Sequence, residues 1–213
     1  DLPLAGEVAA TLPPTSAWDK LKITRIPMGP GVLVTQAQMI MAMCAVANEG
    51  RLMRPMLVNR LEYRDGQVFA QYQPQMVRQV ISEHAAKLEV TALKTVVSTN
   101  GTASKAILEH YTVAGKTGTA QKAGPGGYTS DYVASFAGFF PADDPELCIS
   151  VVMDEPDKTK GYYGGQTAAP VFKAIAEQTA KYLKIRPDRE EPASEVIVGK
   201  SGAETLRTVS LHR

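Results

Sequence analysis

Apolar and polar positions alternate with different periods along this chain, and the changes of period mark its elements. Residues 34–48 are apolar nearly all round, and Gly50 follows where a left-handed terminating residue is wanted, which predicts a core helix. Residues 56–62 and 67–72 flank Asp65-Gly66, a pair that readily adopts the positive φ of a tight turn, so a small hairpin is expected. Ser82 is placed to cap a helix in which Ala86, Val90, Leu93 and Val97 recur at helical spacing, ending near Asn100-Gly101. The period then shortens. Residues 111–121, 132–140 and 147–153 are rich in β-branched and aromatic side chains and predict three successive strands. Their connections, 122–131 and 141–146, are short and turn-rich, which favours antiparallel neighbours, and the apolar run 147–153 reads as a central strand covered on both faces. A last helix is expected to start near Pro170, with Phe172, Ile175, Thr179 and Tyr182 on the face that packs on the sheet.

The flanks differ from this centre. Residues 1–30 carry Pro3, Pro13, Pro14, Pro27 and Pro30 and read as an irregular lead-in. From residue 188 the chain is polar and aperiodic, so 188–213 is expected to be a tail, with 195–198 compatible with a short strand, while 1–187 form one structural unit. Helices, an antiparallel sheet and a closing helix make the fold class α+β.

Composition narrows the function classes. Hydrophobic residues make up 44% of 213, enough for a sizeable core, and a formal charge of +1 offers no field to draw in nucleic acid or an anionic membrane. The longest apolar run, 39–47, is about half of the roughly 20 residues a helix needs to cross a bilayer. The first residues lack the pattern of a signal peptide, and the chain is expected to begin downstream of its targeting segment. Cys44 and Cys148 are too few for a disulfide framework and are read as small buried hydrophobes.

The chemistry is concentrated in Lys116-Thr117-Gly118-Thr119. Lys-Thr-Gly alone is a weak signal, but here it lies on a strand candidate, after a helix and before a glycine-rich turn. Thr117 and Thr119, two apart on a strand, share a face and can donate hydroxyls to one carboxylate. Simple alternation puts Lys116 on the other face, so its ammonium needs strand twist or its own length to reach the same cleft. Gly118 lets a substrate strand approach the backbone. Gln121 and Tyr128, close by, are candidates for rim contacts. Tyr162-Tyr163-Gly164-Gly165 either lines the cleft or turns the chain into the last helix. No Ser-x-x-Lys occurs, and Ser98-Thr99-Asn100, which formally fits Ser-x-Asn, falls at a helix-to-strand connection and is read as a turn. His84, His110 and His212 have no metal-ligand spacing, and the 124–127 loop lacks the spacing and lysine of a phosphate cradle, so no metal or organic cofactor is expected. Asp154, Glu155 and Asp157 read as a solvated loop.

Lys-Thr-Gly belongs to the signature set of penicillin-binding proteins and class A β-lactamases. Residues 111–121, Ser130-Asp131-Tyr132-Val133-Ala134-Ser135-Phe136-Ala137-Gly138, Tyr162-Tyr163-Gly164-Gly165 and Ala169-Pro170-Val171-Phe172 resemble class B penicillin-binding proteins in order and spacing. Residues 28–39, Asn48-Glu49-Gly50 and Arg54-Pro55 extend the resemblance upstream, so that it runs from about residue 1 to 188 and is nearest the division-type penicillin-binding protein 3. The resemblance implies a penicillin-recognising serine transpeptidase fold, like that of β-lactamases, and a D,D-transpeptidase of septal peptidoglycan synthesis. It implies catalytic roles for Lys116 and for Thr119, whose amide is the family's second oxyanion donor, and substrate contacts for Thr117, Gly118, Gln121 and Tyr128. The implied partners are peptidoglycan stem peptides, β-lactam antibiotics and division or elongation membrane proteins, with no nucleic acid. The nucleophilic serine belongs to a preceding part of the same domain, so this chain reads as a fragment, inactive alone, of an enzyme anchored at the outer face of the bacterial inner membrane. Two alternatives stay open: a β-lactamase or β-lactam sensor, and a non-catalytic peptidoglycan-binding or division scaffold.

Overall fold

Pro13 and Pro14 lead into a 3-10 turn (Thr15–Ala17), and beyond it a short helix forms that the sequence pattern did not predict. In the computed structural model, which describes residues 6–26, 29 and 31–189, a short helix α1 (Lys20–Arg25) begins at Asp19, whose carboxylate accepts from the amides of Leu21 and Lys22 at 2.9 and 2.7 Å. Those bonds satisfy N–H groups that a helix start leaves without partners.

Helix α2 (Gln36–Ala47) starts at Thr35, which exchanges bonds with Gln38 in a capping box, and ends where Gly50, at φ 81°, donates its amide to Ala45 O at 2.8 Å. It is not the core helix expected: only Ala45 is fully buried, and Met39 is 45% exposed, because α2 lies on a sheet with one face and leaves the other open. Two ribbons follow. Strands β1 (Arg51–Met53) and β4 (Met76–Gln79) pair antiparallel and enclose the hairpin of β2 (Arg60–Glu62) and β3 (Val68–Gln71). The hairpin turns at Asp65-Gly66 as expected, with shorter strands, while the outer pairing carried no local signal. Helix α3 (Glu83–Val96) is capped by Ser82 as expected and buries Ala86 and Leu93.

The sheet runs β5 (Ala114–Gly124), β6 (Gly127–Phe140), β7 (Leu147–Asp154), antiparallel in that spatial order. Two expectations change. The 122–131 connection is mostly strand, turning only at Pro125-Gly126, so β5 and β6 form a long hairpin. Strand β7 lies at an edge of the described sheet and β6 is central; helices on both faces of β7 account for its apolar run.

The last helix, α4 (Gly164–Leu183), begins six residues before Pro170, which lies inside it. Its buried stripe is Ala168, Ala169, Phe172, Ala176 and Ala180. Of the four residues expected to face the sheet, Ile175 is 42% and Tyr182 85% exposed. Small residues won this face because alanines let the helix lie close on a sheet whose own phenylalanines fill the space: Phe136 and Phe172 meet edge-on at 4.8 Å, and Phe140 meets Tyr111 at 5.4 Å. Leu108, Val113 and Val151 also belong to this cluster. The opposite sheet face carries a smaller one, of Leu93, Ala114, Phe139 and Ala142, with Met43, Val46, Val90 and Cys148 against it.

Asp188 and Arg189, placed in the tail on sequence, are bonded to the packed unit: Asp188 accepts from the Thr112 amide at 2.7 Å and Arg189 donates to Leu108 O at 3.1 Å. The rest of the expected tail, and the strand at 195–198, lie outside the described residues.

Candidate active site

Strand β5 leaves the core as it runs. Ala114 and Gly115 are buried, Lys116 is exposed, and from Thr119 onward the strand is largely open. It is the edge of its sheet, pairing only with β6 among the described residues. Lys116 stands opposite Ala137, Thr117 opposite Phe136, Gly118 opposite Ser135 and Thr119 opposite Ala134. Since Phe136 faces α4 and Ala114 faces the smaller cluster, alternation sends Thr117 and Thr119 to the α4 side and Lys116 and Gly118 to the other. The separation of lysine from threonines read from the sequence is therefore present, and the Lys116 Nζ donates to the backbone carbonyl of Thr117 at 2.9 Å.

Both threonine hydroxyls are anchored. The Oγ1 atoms of Thr117 and Thr102 are 3.0 Å apart, and the amide of Gly164, first residue of α4, donates to Thr119 Oγ1 at 3.1 Å. The helix start sits this close because it begins with two glycines. A Cβ on Gly164 would stand 2.1 Å from Ser135 O and 2.6 Å from Gly118 O, and one on Gly165 1.9 Å from Thr102 O. The hydroxyls thus lie at the positive end of a 20-residue helix, a setting that favours an anion. Gly118 leaves room on the lysine side, where a Cβ would meet Ser135 Oγ at 2.5 Å. Thr102 and Ser135 escaped the sequence reading of the site, which held Gly164 only within a segment that either lines the cleft or turns the chain. Gly164-Gly165 ahead of a long helix was a usable signal; Thr102 and Ser135 had none.

The tyrosine segment does more than turn the chain. Tyr162 stacks between Tyr132 and Tyr163, with ring centroids at 4.5 and 4.4 Å, and its hydroxyl donates to that of Tyr163 at 3.1 Å, the bond that most raises its phenol pKa. Tyr163 also occupies the cap position of α4 and is half exposed, so the stack stands beside the strand on the threonine side. Gln121 is engaged within the hairpin, donating to Thr129 O at 2.5 Å, and Tyr128, 72% exposed, lies near the turn. The acidic segment at the end of β7 is exposed, as read from the sequence, and also paired: Lys122 reaches Asp154 at 2.7 Å and Glu155 at 2.6 Å, and these carboxylates push the Lys122 ammonium well above its usual pKa. Ser98 donates to Thr95 O at the exit of α3, a turn contact. A cavity of about 480 Å³ lies elsewhere, between α2, α3 and the 142–145 loop, and includes no residue of the Lys116–Thr119 segment.

A Lys-Thr-Gly-Thr ribbon at the edge of an antiparallel sheet, backed by a helix, defines a domain of the penicillin-recognising class. The chain belongs to the penicillin-binding protein transpeptidase domain family, whose model matches residues 1–177. It is 36% identical over 182 residues to penicillin-binding protein PbpB of Mycolicibacterium smegmatis, covering 81% of this chain and 28% of that protein. It is 31% identical over 189 residues to peptidoglycan D,D-transpeptidase FtsI of Escherichia coli K12, covering 88% and 30%. Among solved structures, the transpeptidase domain of Burkholderia pseudomallei penicillin-binding protein 3 superposes with a TM-score of 0.75 at 33% identity, over 89% of this chain and 55% of that one. Penicillin-binding protein 3 of Mycobacterium tuberculosis in complex with ampicillin gives 0.76 at 30% identity, over 88% and 43%. The chain thus spans under a third of those two relatives' length.

Proposed function

We propose that this chain is the Lys-Thr-Gly part of the transpeptidase domain of a serine D,D-transpeptidase that cross-links peptidoglycan stem peptides in septal wall synthesis, its nucleophile lying in a preceding part of the same domain. We take the domain to run from residue 1 to about 187, with Asp188 and Arg189 bonded to it and a polar tail beyond. The observation that carries this reading is the division of labour along β5: an exposed lysine on the open side of the strand, and on the other two anchored hydroxyls, that of Thr119 held by the start of α4 and that of Thr117 by Thr102.

In such an enzyme a serine attacks the carbonyl between two D-alanines, an acyl-enzyme forms, and the amine of a neighbouring stem peptide takes over the acyl group. Lys116 supplies positive charge where the serine and its proton relay would meet the open face, favouring their deprotonated forms and drawing in the terminal carboxylate. The Oγ1 of Thr119 already accepts from Gly164, which leaves its own proton to donate; with Thr117 it offers two hydroxyls to that carboxylate. Gly118 admits the substrate strand to the free edge, and the Thr119 amide serves as an oxyanion donor, a contribution whose loss costs roughly 3 to 4 kcal/mol of transition-state stabilisation. Gln121 and Tyr128 form the rim.

The relative solved with ampicillin supports extending penicillin binding to this protein. We place the domain on the outer face of the bacterial inner membrane, working with division or elongation membrane proteins; no helix among the described residues is long and apolar enough to cross a membrane. Labelling of the full-length protein with a fluorescent penicillin tests the reading. A stable covalent adduct is expected. Rapid release of hydrolysed drug would make it a β-lactamase or sensor, and no labelling a scaffold.

A further inference from the structure

The two threonine hydroxyls of β5 are held by different kinds of group. That of Thr119 accepts from the Gly164 amide at 3.1 Å, and an amide N–H can only donate, so the direction of this bond is fixed and the Thr119 proton is left over. That of Thr117 lies 3.0 Å from the Thr102 hydroxyl, a contact in which either oxygen can be the donor. The direction decides what Thr117 offers the cleft. Donating to Thr102, it presents lone pairs; accepting from Thr102, it presents its one proton.

The backbone of Thr102 is fixed from two sides. It follows Gly101, where a Cβ would collide with Val96 O, in the turn after α3. The Ala103 amide donates to that same carbonyl at 2.9 Å, Ala103 is fully buried, and the 3-10 turn that follows, Ser104–Ala106, packs on α4. From the other side α4 comes so close that a Cβ on Gly165 would collide with Thr102 O. The residue is nevertheless exposed, and among the described residues its hydroxyl bonds to Thr117 alone. A backbone held this firmly beneath an exposed side chain places one hydroxyl against Thr117.

We propose that Thr102 is a positioning residue for carboxylate recognition: its hydroxyl donates to Thr117 Oγ1, so that the Thr117 proton, like that of Thr119, is directed to the terminal carboxylate of the substrate. The inference rests on the transpeptidase reading above and deepens it. An anion in the cleft selects this direction, because the reverse one sets oxygen lone pairs against a negative charge. Each hydroxyl in such a donor chain also polarises the next. The two threonines of β5 then act alike although their supports differ, an amide behind one and a hydroxyl behind the other. Thr102 acts only through Thr117.

The test uses the full-length protein, with benzylpenicillin as the probe that carries a carboxylate and its methyl ester as the neutral one. Each acylation rate is read by competition with a fluorescent penicillin. Thr102→Val keeps the shape and removes the hydroxyl; it should slow acylation by benzylpenicillin roughly tenfold, the scale of one hydrogen bond, and acylation by the ester far less. Thr102→Ser should recover most of the lost rate. In a Thr117→Val background, Thr102→Val should slow the reaction no further, since the group through which it acts is gone. Urea unfolding of each variant checks the fold, and Thr102→Ala repeats the series if the valine variant is unfolded. A benzylpenicillin rate unchanged by Thr102→Val would overturn the proposal. So would equal slowing of acid and ester, or additive losses in the double variant, either of which would make Thr102 a structural support alone. A parent protein that no penicillin labels sinks the transpeptidase reading and this inference with it, whereas a labelled parent indifferent to Thr102 sinks only the inference.

Discussion

The two faces of the β5–β7 sheet are closed to different depths. On the α4 side, Tyr111, Phe136, Phe140 and Phe172 fill the space between helix and strands, and the contact continues outward through Gly164 to Thr119. On the α2 and α3 side a smaller cluster of Leu93, Ala114, Phe139 and Ala142 closes one end of β5 and stops short of Lys116, which is exposed two residues further along. Alternate residues of one strand thus receive opposite treatment. The closed side fixes hydroxyls by bonding them to a helix and a neighbouring segment, while the open side leaves an ammonium facing space that another part of the enzyme can occupy. Rigidity and access are separated by the period of two in a strand.

The sharpest break of this contrast is Phe172→Ala. Phe172 is fully buried between Phe136 and Phe140, so its loss should lower stability by roughly 3 to 5 kcal/mol in urea unfolding, and penicillin labelling should weaken as α4 loosens from Thr119. A loss under about 1 kcal/mol would mean that the α4 face is not the packed side.

A smaller effect comes from Tyr111→Phe on the same face. The Tyr111 hydroxyl donates to Ile185 O at 2.8 Å, a bond whose removal should cost about 1 kcal/mol near neutral pH. Burial first, then the carboxylates of Glu146 and Asp188, raise the phenol above its ordinary 10.0. The folded state therefore holds this proton more tightly than the unfolded state does. The stability it confers is complete below about pH 10 and is lost as pH rises through the folded value. The phenylalanine variant lacks this titration, so the gap between the two proteins should narrow in denaturation curves taken at rising alkaline pH. A gap independent of pH would show that Tyr111 is open to water.

These faces were unequally legible in the sequence. The succession of three antiparallel strands, the Asp65-Gly66 hairpin and the capped α3 depend on local patterns and were readable, while the central place given to 147–153 was not right. The buried stripe of α4 was not, since its alanines carry little hydrophobic weight and Ile175 and Tyr182 drew the prediction to the wrong face. The pairing of β1 with β4 joins residues far apart in sequence and buries little, so nothing local announced it. At the site, the types and faces of Lys116, Thr117 and Thr119 followed from spacing. What holds the threonines did not, because Thr102 and Gly164 arrive from other elements and only the fold brings them near.

The smallest effect on stability, and the most informative one, belongs to Lys116→Ala. Lys116 is exposed, and its described hydrogen bond goes to the neighbouring carbonyl of Thr117. Removing it should change unfolding free energy by no more than about 0.5 kcal/mol, as for other surface positions. Acylation of the full-length protein by a fluorescent penicillin should nevertheless slow by roughly a hundredfold or more, the scale on which a group that assists proton transfer acts. A stability loss comparable to that of Phe172→Ala would place Lys116 in a packed environment and erase the contrast between the faces. Unchanged stability with unchanged acylation would keep the contrast but remove the lysine from the chemistry. Only a rate that falls while stability holds separates a side chain kept free for reaction from one that is merely left over at the edge of a core.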